Sequence, residues 1–207
     1  MAVTIIDVGY RSTHYWVVSE GRSRILVDLG WPGTMGQMAA NLKRAGVSLS
    51  EVQYGLATHY HPDHAGLAQE LKLAGVPLIV VDVQIPWVPL LNTIVKPVDK
   101  YVDVTMHDNV EVTCATSRAL LKRIGINGTI VHTPGHSDDS VSLLLADGSV
   151  FTGDLTPPRL ATDETVDQVM RSWRRLKDLG ATRVYPGHGP VSPMPDGLGA
   201  ADRRSST

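Results

Sequence analysis

A chain of 207 residues is long enough to bury one sizeable core and too short to favour a second independent one. Its 43% hydrophobic and 19% charged residues are the proportions of a globular protein, and no charge-free run approaches the ~20 residues of a spanning helix, which excludes a membrane-spanning protein of that kind. A formal charge of −2 gives no general attraction to phosphate backbones, so neither nucleic acid nor a membrane is expected as a partner.

The first segment, Val3 to Val8, is a short β-branched run predicted as a strand. The stretch from Met1 to Asp7 has no basic start and meets Asp7 before an apolar signal core could form, so the expected location is cytoplasmic. Further strands are predicted at His14 to Val18, Arg24 to Asp28, Gln53 to Thr58 and Pro77 to Val81, then at Thr129 to His132, Ser140 to Leu145 and Ser149 to Thr152. Asp147-Gly148 between the last two is a strong hairpin signal. Helical spacing joins Met35, Met38, Leu42 and Ala45 before Gly46, and further helices are predicted from Ala65 to Ala74, from Ser117 to Ile124 and along Val166, Val169, Met170, Trp173 and Leu176. This alternation is the rhythm of an α/β protein. Pro86, Pro89 and Pro97 interrupt every pattern from Gln84 to Asp108, which is expected to be a loop-rich flap. A single cysteine, Cys114, excludes an internal disulfide and a cysteine-based zinc cluster; a small buried apolar role is expected for it. The expected organisation is one domain over residues 1–191 and a flexible tail over 192–207.

Five of the eight histidines follow strand-like runs and sit in loops containing Gly or Pro, where a rigid scaffold displays functional side chains. The densest run is Thr58-His59-Tyr60-His61-Pro62-Asp63-His64. Three imidazoles and a carboxylate in six residues are costly as core, since each would need its own buried partner, and a metal supplies those partners at once. Thr133-Pro134-Gly135-His136, Phe151-Thr152-Gly153-Asp154 and Tyr185-Pro186-Gly187-His188-Gly189 end three later strands in the same style. Grouped as His59, His61 and His136 for one ion and Asp63, His64 and His188 for another, with Asp154 bridging, the donors suit two zinc ions; iron or manganese would suit the same donors.

In this order the motifs resemble those of the metallo-β-lactamase superfamily, beginning with Val27-Asp28-Leu29-Gly30 and ending at His188. The resemblance implies a four-layer αβ/βα sandwich with the metals at one edge between two sheets. It also implies that Asp28 orients a liganding imidazole from behind. The expected activity is a dinuclear metal-dependent hydrolase in which a metal-bridging hydroxide, oriented by Asp63, attacks the carbonyl of a small-molecule ester, thioester or lactone. The alternatives are a mononuclear iron oxygenase similar to the persulfide dioxygenases, using His59, His136 and Asp154, and a β-lactam hydrolase, which the presence of Asp154 disfavours. Glyoxalase II-like thioesterases add a helical C-terminal domain for which few residues follow His188.

Other polar residues have plainer expectations. His14 and His132 are read as hydrogen-bonded structural histidines, His107 as a surface residue, and Asp138 and Asp139 as solvated turn carboxylates or caps. Arg159 is read either as an anchor for a substrate carboxylate or as a surface charge. Trp31 and Trp87 are candidates for a pocket wall or for packing.

Overall fold

Period-two alternation sorts the strand residues into faces, and each face meets a different layer. The computed structural model describes residues 2–198. Strands β1 (Val3–Asp7), β2 (Trp16–Glu20), β3 (Ser23–Val27), β4 (Tyr54–Leu56), β5 (Leu78–Val81) and β6 (Val110–Val112) form one sheet in that spatial order, antiparallel up to β3 and parallel from there on. Between these strands lie helices α1 (Met35–Arg44), α2 (Pro62–Ala65), α3 (Ala68–Leu73) and α4 (Leu91–Ile94), with α5 (Cys114–Arg123) following β6. The second sheet has the order β11-β10-β9-β8-β7, from β7 (Gly128–His132), β8 (Val141–Leu145), β9 (Ser149–Gly153), β10 (Arg183–Pro186) and β11 (Ser192–Pro193), with α6 (Val166–Asp178) crossing between β9 and β10.

Leu26, Leu78 and Val80 turn outward from the first sheet to meet Met38 and Leu42 of α1 and Leu71 of α3. Their strand neighbours Ile25, Val27, Ile79 and Val81 turn inward and meet Ile130, Val141, Leu143 and Phe151 of the second sheet. On the far side Leu144 and Val150 meet Val169, Trp173 and Leu176 of α6. Helix, sheet, sheet and helix are thus the four layers of an α/β sandwich, and the strand ends that carry polar loops gather at one edge.

Several boundaries differ from the sequence expectation. The strand expected from His14 starts at Trp16, because His14 is drawn into side-chain bonds instead. The helix expected from Ala65 to Ala74 is broken at Gly66-Leu67, where the backbone passes so near Pro32 that a Cβ on Gly66 would lie 2.3 Å from Pro32 Cδ. The proline-rich flap forms single helical turns at Asp82–Gln84, Val88–Leu90, Leu91–Ile94 and Pro97–Asp99, consistent with prolines at first-turn positions. Gln84 is buried and donates to the Ala57 and Thr58 carbonyls, pinning the start of this segment beneath the metal-motif strand. Trp87 packs, half-buried, against the cluster that contains α1 and α3, so packing is the better of its two readings; Trp31 joins the same cluster. The expected tail at Ser192 begins instead as β11, antiparallel to β10, and Leu198 is buried beside α6; residues 199–207 of that expectation lie outside the described residues. Among the described residues no helix is long and apolar enough to cross a membrane.

Candidate metal centre

His59 leaves the end of β4 and His61 caps α2, where Pro62 takes a first-turn position that needs no amide donor. Asp63 and His64 then fall within that single turn. His136 follows β7, Asp154 follows β9 and His188 follows β10, so loops from both sheets converge. The result is two groups of side chains, His59 with His61 and His136, and Asp63 with His64, Asp154 and His188. Within each group one donor atom per residue lies within 4.8 Å of all the others. All seven residues expected as ligands are brought together.

Outer partners dictate which nitrogen of three of the rings faces inward. Thr58 Oγ1 donates to Asp28 Oδ1 at 2.8 Å, and His59 Nδ1 lies 3.1 Å from that hydroxyl, so Nδ1 carries the proton and Nε2 is the free donor. His64 Nδ1 donates to Asp28 Oδ2 at 2.9 Å, and His188 Nδ1 donates to the Ser12 carbonyl at 2.5 Å; both leave Nε2 free in the same way. Asp28 is buried at a left-handed φ of 63°, and its other bond is accepted from Thr58 N at 2.8 Å. One carboxylate therefore orients a ring in each group, directly for His64 and through Thr58 for His59.

The inward atoms fit metal ions better than they fit one another. His59 Nε2 is buried without a hydrogen-bond partner, and His64 Nε2 and Asp154 Oδ1, also buried, meet each other at 3.2 Å as an ion-pair contact that is not a well-formed hydrogen bond, an arrangement that a cation between them would satisfy better. His61 Nδ1 and His136 Nε2 face each other at 3.0 Å, two ligand nitrogens aimed at one place. Asp63 Oδ2 lies 3.3 Å from His64 Nε2 and 3.1 Å from His188 Nε2, while Asp154 Oδ2 lies 3.4 Å from His188 Nε2 and 3.7 Å from His136 Nε2. Asp154 thus touches residues of both groups.

Electrostatics follow from this crowding. Burial, reinforced by the neighbouring imidazoles, holds His59 well below the usual imidazole range, so it is neutral as a ligand must be. Burial also works against charge on His64, but Asp28, Asp154 and Asp63 outweigh it and hold its proton well above that range. A bound cation is the alternative to that proton. Asp63 and Asp154 resist burial through the charge and hydrogen bonds of His64 and stay below the ordinary carboxylate range. Glycine leaves the room: a Cβ on Gly187 would lie 2.5 Å from His64 Cε1 and 2.6 Å from Asp154 Oδ1.

Four residues of this centre went unseen in the sequence. Ser12 and Thr58 anchor the rings as described; Thr13 Oγ1 donates to Asp63 Oδ2 at 3.2 Å, and the Tyr15 hydroxyl donates to the Asp63 carbonyl at 3.1 Å. Thr58 opens the histidine motif but gives no sign of its bond to Asp28, and the hydroxyls of Ser12, Thr13 and Tyr15, between β1 and β2, carry no spacing signal. Asp139 also corrects its expectation: it is buried and accepts from Tyr60 N at 2.7 Å, bracing the His59–His61 loop, whereas Asp138 is exposed. His132 donates to the Asp138 carbonyl, as a structural histidine, and His107 is exposed. Arg159 is exposed in the turn Pro158–Leu160. Cys114 is half-buried at the start of α5, and burial pushes its thiol up.

The sequence profile of the metallo-beta-lactamase superfamily matches residues 8–188, a span that includes every side chain of the two groups. This chain belongs to the metallo-β-lactamase superfamily. Among similar superfamily proteins, a beta-lactamase-like protein 2 homolog of Caenorhabditis elegans is 31% identical over 87% of this chain and 57% of its own length. An atrochrysone carboxyl ACP thioesterase of Aspergillus fumigatus is 31% identical over 87% of this chain and 52% of its own. The chain therefore spans a little over half the length of these relatives. Solved structures share the fold: BLEG-1 B3 metallo-beta-lactamase, with a TM-score of 0.70 and 21% identity, covers 93% of this chain and 94% of its own. TTHA1623 in a di-iron-bound form, with a TM-score of 0.69 and 21% identity, covers 92% and 94%.

Proposed function

We propose that this superfamily member is a dinuclear metal-dependent hydrolase that attacks the carbonyl of a small-molecule ester, thioester or lactone and breaks its acyl–oxygen or acyl–sulfur bond. The observation that carries the reading is the pair of adjoining donor groups, with Asp154 of one group 3.7 Å from His136 of the other and His59 Nε2 buried without a hydrogen-bond partner. His59, His61 and His136 would hold one ion, Asp63, His64 and His188 the other, and Asp154 would touch both. When bound, two such ions supply Lewis acidity and a hydroxide nucleophile near neutral pH. The chain supplies the rest. Asp28, Thr58 and Ser12 fix the ring tautomers before substrate arrives, which removes reorganisation from the reaction. Asp63, clasped by Thr13 and Tyr15, presents its carboxylate to orient the attacking water. The thioesterase among the relatives supports a thioester as the first substrate to try.

The test is metal content measured together with turnover. Protein purified without added metal should hold about two ions per chain and hydrolyse members of a panel of aryl thioesters, aryl esters and lactones, without oxygen. One iron per chain, with oxygen consumed on a persulfide substrate, would replace this reading with the oxygenase one.

A further inference from the structure

His14 stands outside both donor groups yet reaches the loop that carries His188. Its Nδ1 lies 2.6 Å from Asp7 Oδ2 and its Nε2 lies 2.8 Å from the Gly189 carbonyl oxygen. Both partners are acceptor oxygens, so the ring is held at its two nitrogens between Asp7 and the Gly189 backbone. The His14 amide donates in turn to the Gly187 carbonyl at 2.8 Å. One residue therefore grips the backbone on both sides of His188. Its ring also stacks on Trp16, 5.0 Å between centroids, and the Trp16 indole donates to the Pro186 carbonyl at 3.1 Å.

This grip has a consequence for the centre. Gly187 is pressed against His64 and Asp154, and Gly189 sits at a φ of 80°, so the loop has little other way to present its histidine. The His188 ring is itself half-exposed, and its Nδ1 is tied only to Ser12, on the same hairpin as His14. Resting on the two-metal reading above, we infer that the Asp7–His14 pair is a latch that positions His188, setting the affinity of the Asp63, His64 and His188 position while sparing the His59, His61 and His136 position. His14 touches neither substrate nor metal; it acts through the loop.

The experiment is stepwise zinc binding to the stripped full chain, read by competition with a chromophoric chelator, alongside thermal unfolding of the metal-free protein. His14→Phe keeps the ring on Trp16 and removes both nitrogens; His14→Gln restores a donor for the Gly189 carbonyl. Asp7→Asn keeps the acceptor for the Gly9 amide while removing the charge behind His14. In His14→Phe one of the two zinc steps should weaken about tenfold to a hundredfold while the other stays as in wild type, the size expected when an outer partner of a ligand is lost. Most of that loss should return in His14→Gln, and Asp7→Asn should weaken the same step. Unchanged binding in His14→Phe and Asp7→Asn would overturn the latch, and so would equal weakening of both zincs. A wild-type chain that binds no zinc would instead overturn the metal reading, and the latch with it.

Discussion

At the scale of single residues, Asp28 couples the two donor groups. It accepts from Thr58 N, Thr58 Oγ1 and His64 Nδ1 while almost wholly buried, so its loss leaves several buried donors unpaired. Asp28→Ala should cost about 3 kcal/mol of stability, as breaking a buried charged pair does. Asp28→Asn keeps the volume but presents an amide to a ring nitrogen or a hydroxyl, and metal affinity should fall about tenfold to a hundredfold. Chemical denaturation and metal titration separate the two effects; an Asp28→Ala chain as stable as wild type would refute the coupling. The neighbouring carboxylates add a pH signature. In the metal-free chain burial opposes charge on Asp63 and Asp154, yet His64 keeps both below the ordinary carboxylate range. A depressed acid contributes stability that is fully present above its unfolded value of about 3.9 and lost as pH falls through its folded value. His64 stays charged throughout that window, so the loss comes from the carboxylates. The thermal midpoint of metal-free Asp154→Asn should therefore fall below wild type at pH 6, and the gap should narrow as pH falls below about 3.9.

At the scale of elements, chain pattern and tertiary context divide the work unevenly. Strands with continuous apolar, mostly β-branched runs, such as Leu78–Val81, were legible because both of their faces are buried, each against its own layer. β6 and β11 were not, since three and two residues carry no period and exist only through pairing with β5 and β10. The flap was legible as proline-broken but not as a series of single turns clamped by buried Gln84. Its Trp87 packs on the cluster beside α1 and α3. Trp87→Ala should therefore lower stability by about 2 kcal/mol, roughly half the cost for a fully buried tryptophan. Denaturant midpoints check this; an unchanged midpoint with altered substrate preference would return Trp87 to the pocket wall.

At the scale of the whole molecule, the centre joins two halves. His59, His61, Asp63 and His64 come from the loop after β4 of the first sheet, and His136, Asp154 and His188 from loops of the second. Ions held between them would cross-link the sandwich at its edge, stabilising the folded chain by about 2.7 kcal/mol per site at a hundredfold excess over Kd. Chelation should then lower the thermal midpoint by several degrees, and added zinc should restore it. A midpoint indifferent to chelator would argue against ions at this edge.

The amino-acid sequence by itself determined which seven imidazoles and carboxylates gather at one edge, because such groups beside Gly and Pro at strand ends are too costly to be core and too regular to be chance. It also determined the α/β rhythm, through periods of two and 3.6 that act over a few residues. Only the tertiary structure decided which ring nitrogen faces inward and which hydroxyl holds which carboxylate. Ser12, Thr13, His14 and Tyr15 meet Asp63 and the His188 loop across separations of 48 to 176 residues. Hydrogen bonds of that span leave no local period, since they depend on where the folded layers bring two distant loops within 3 Å of each other.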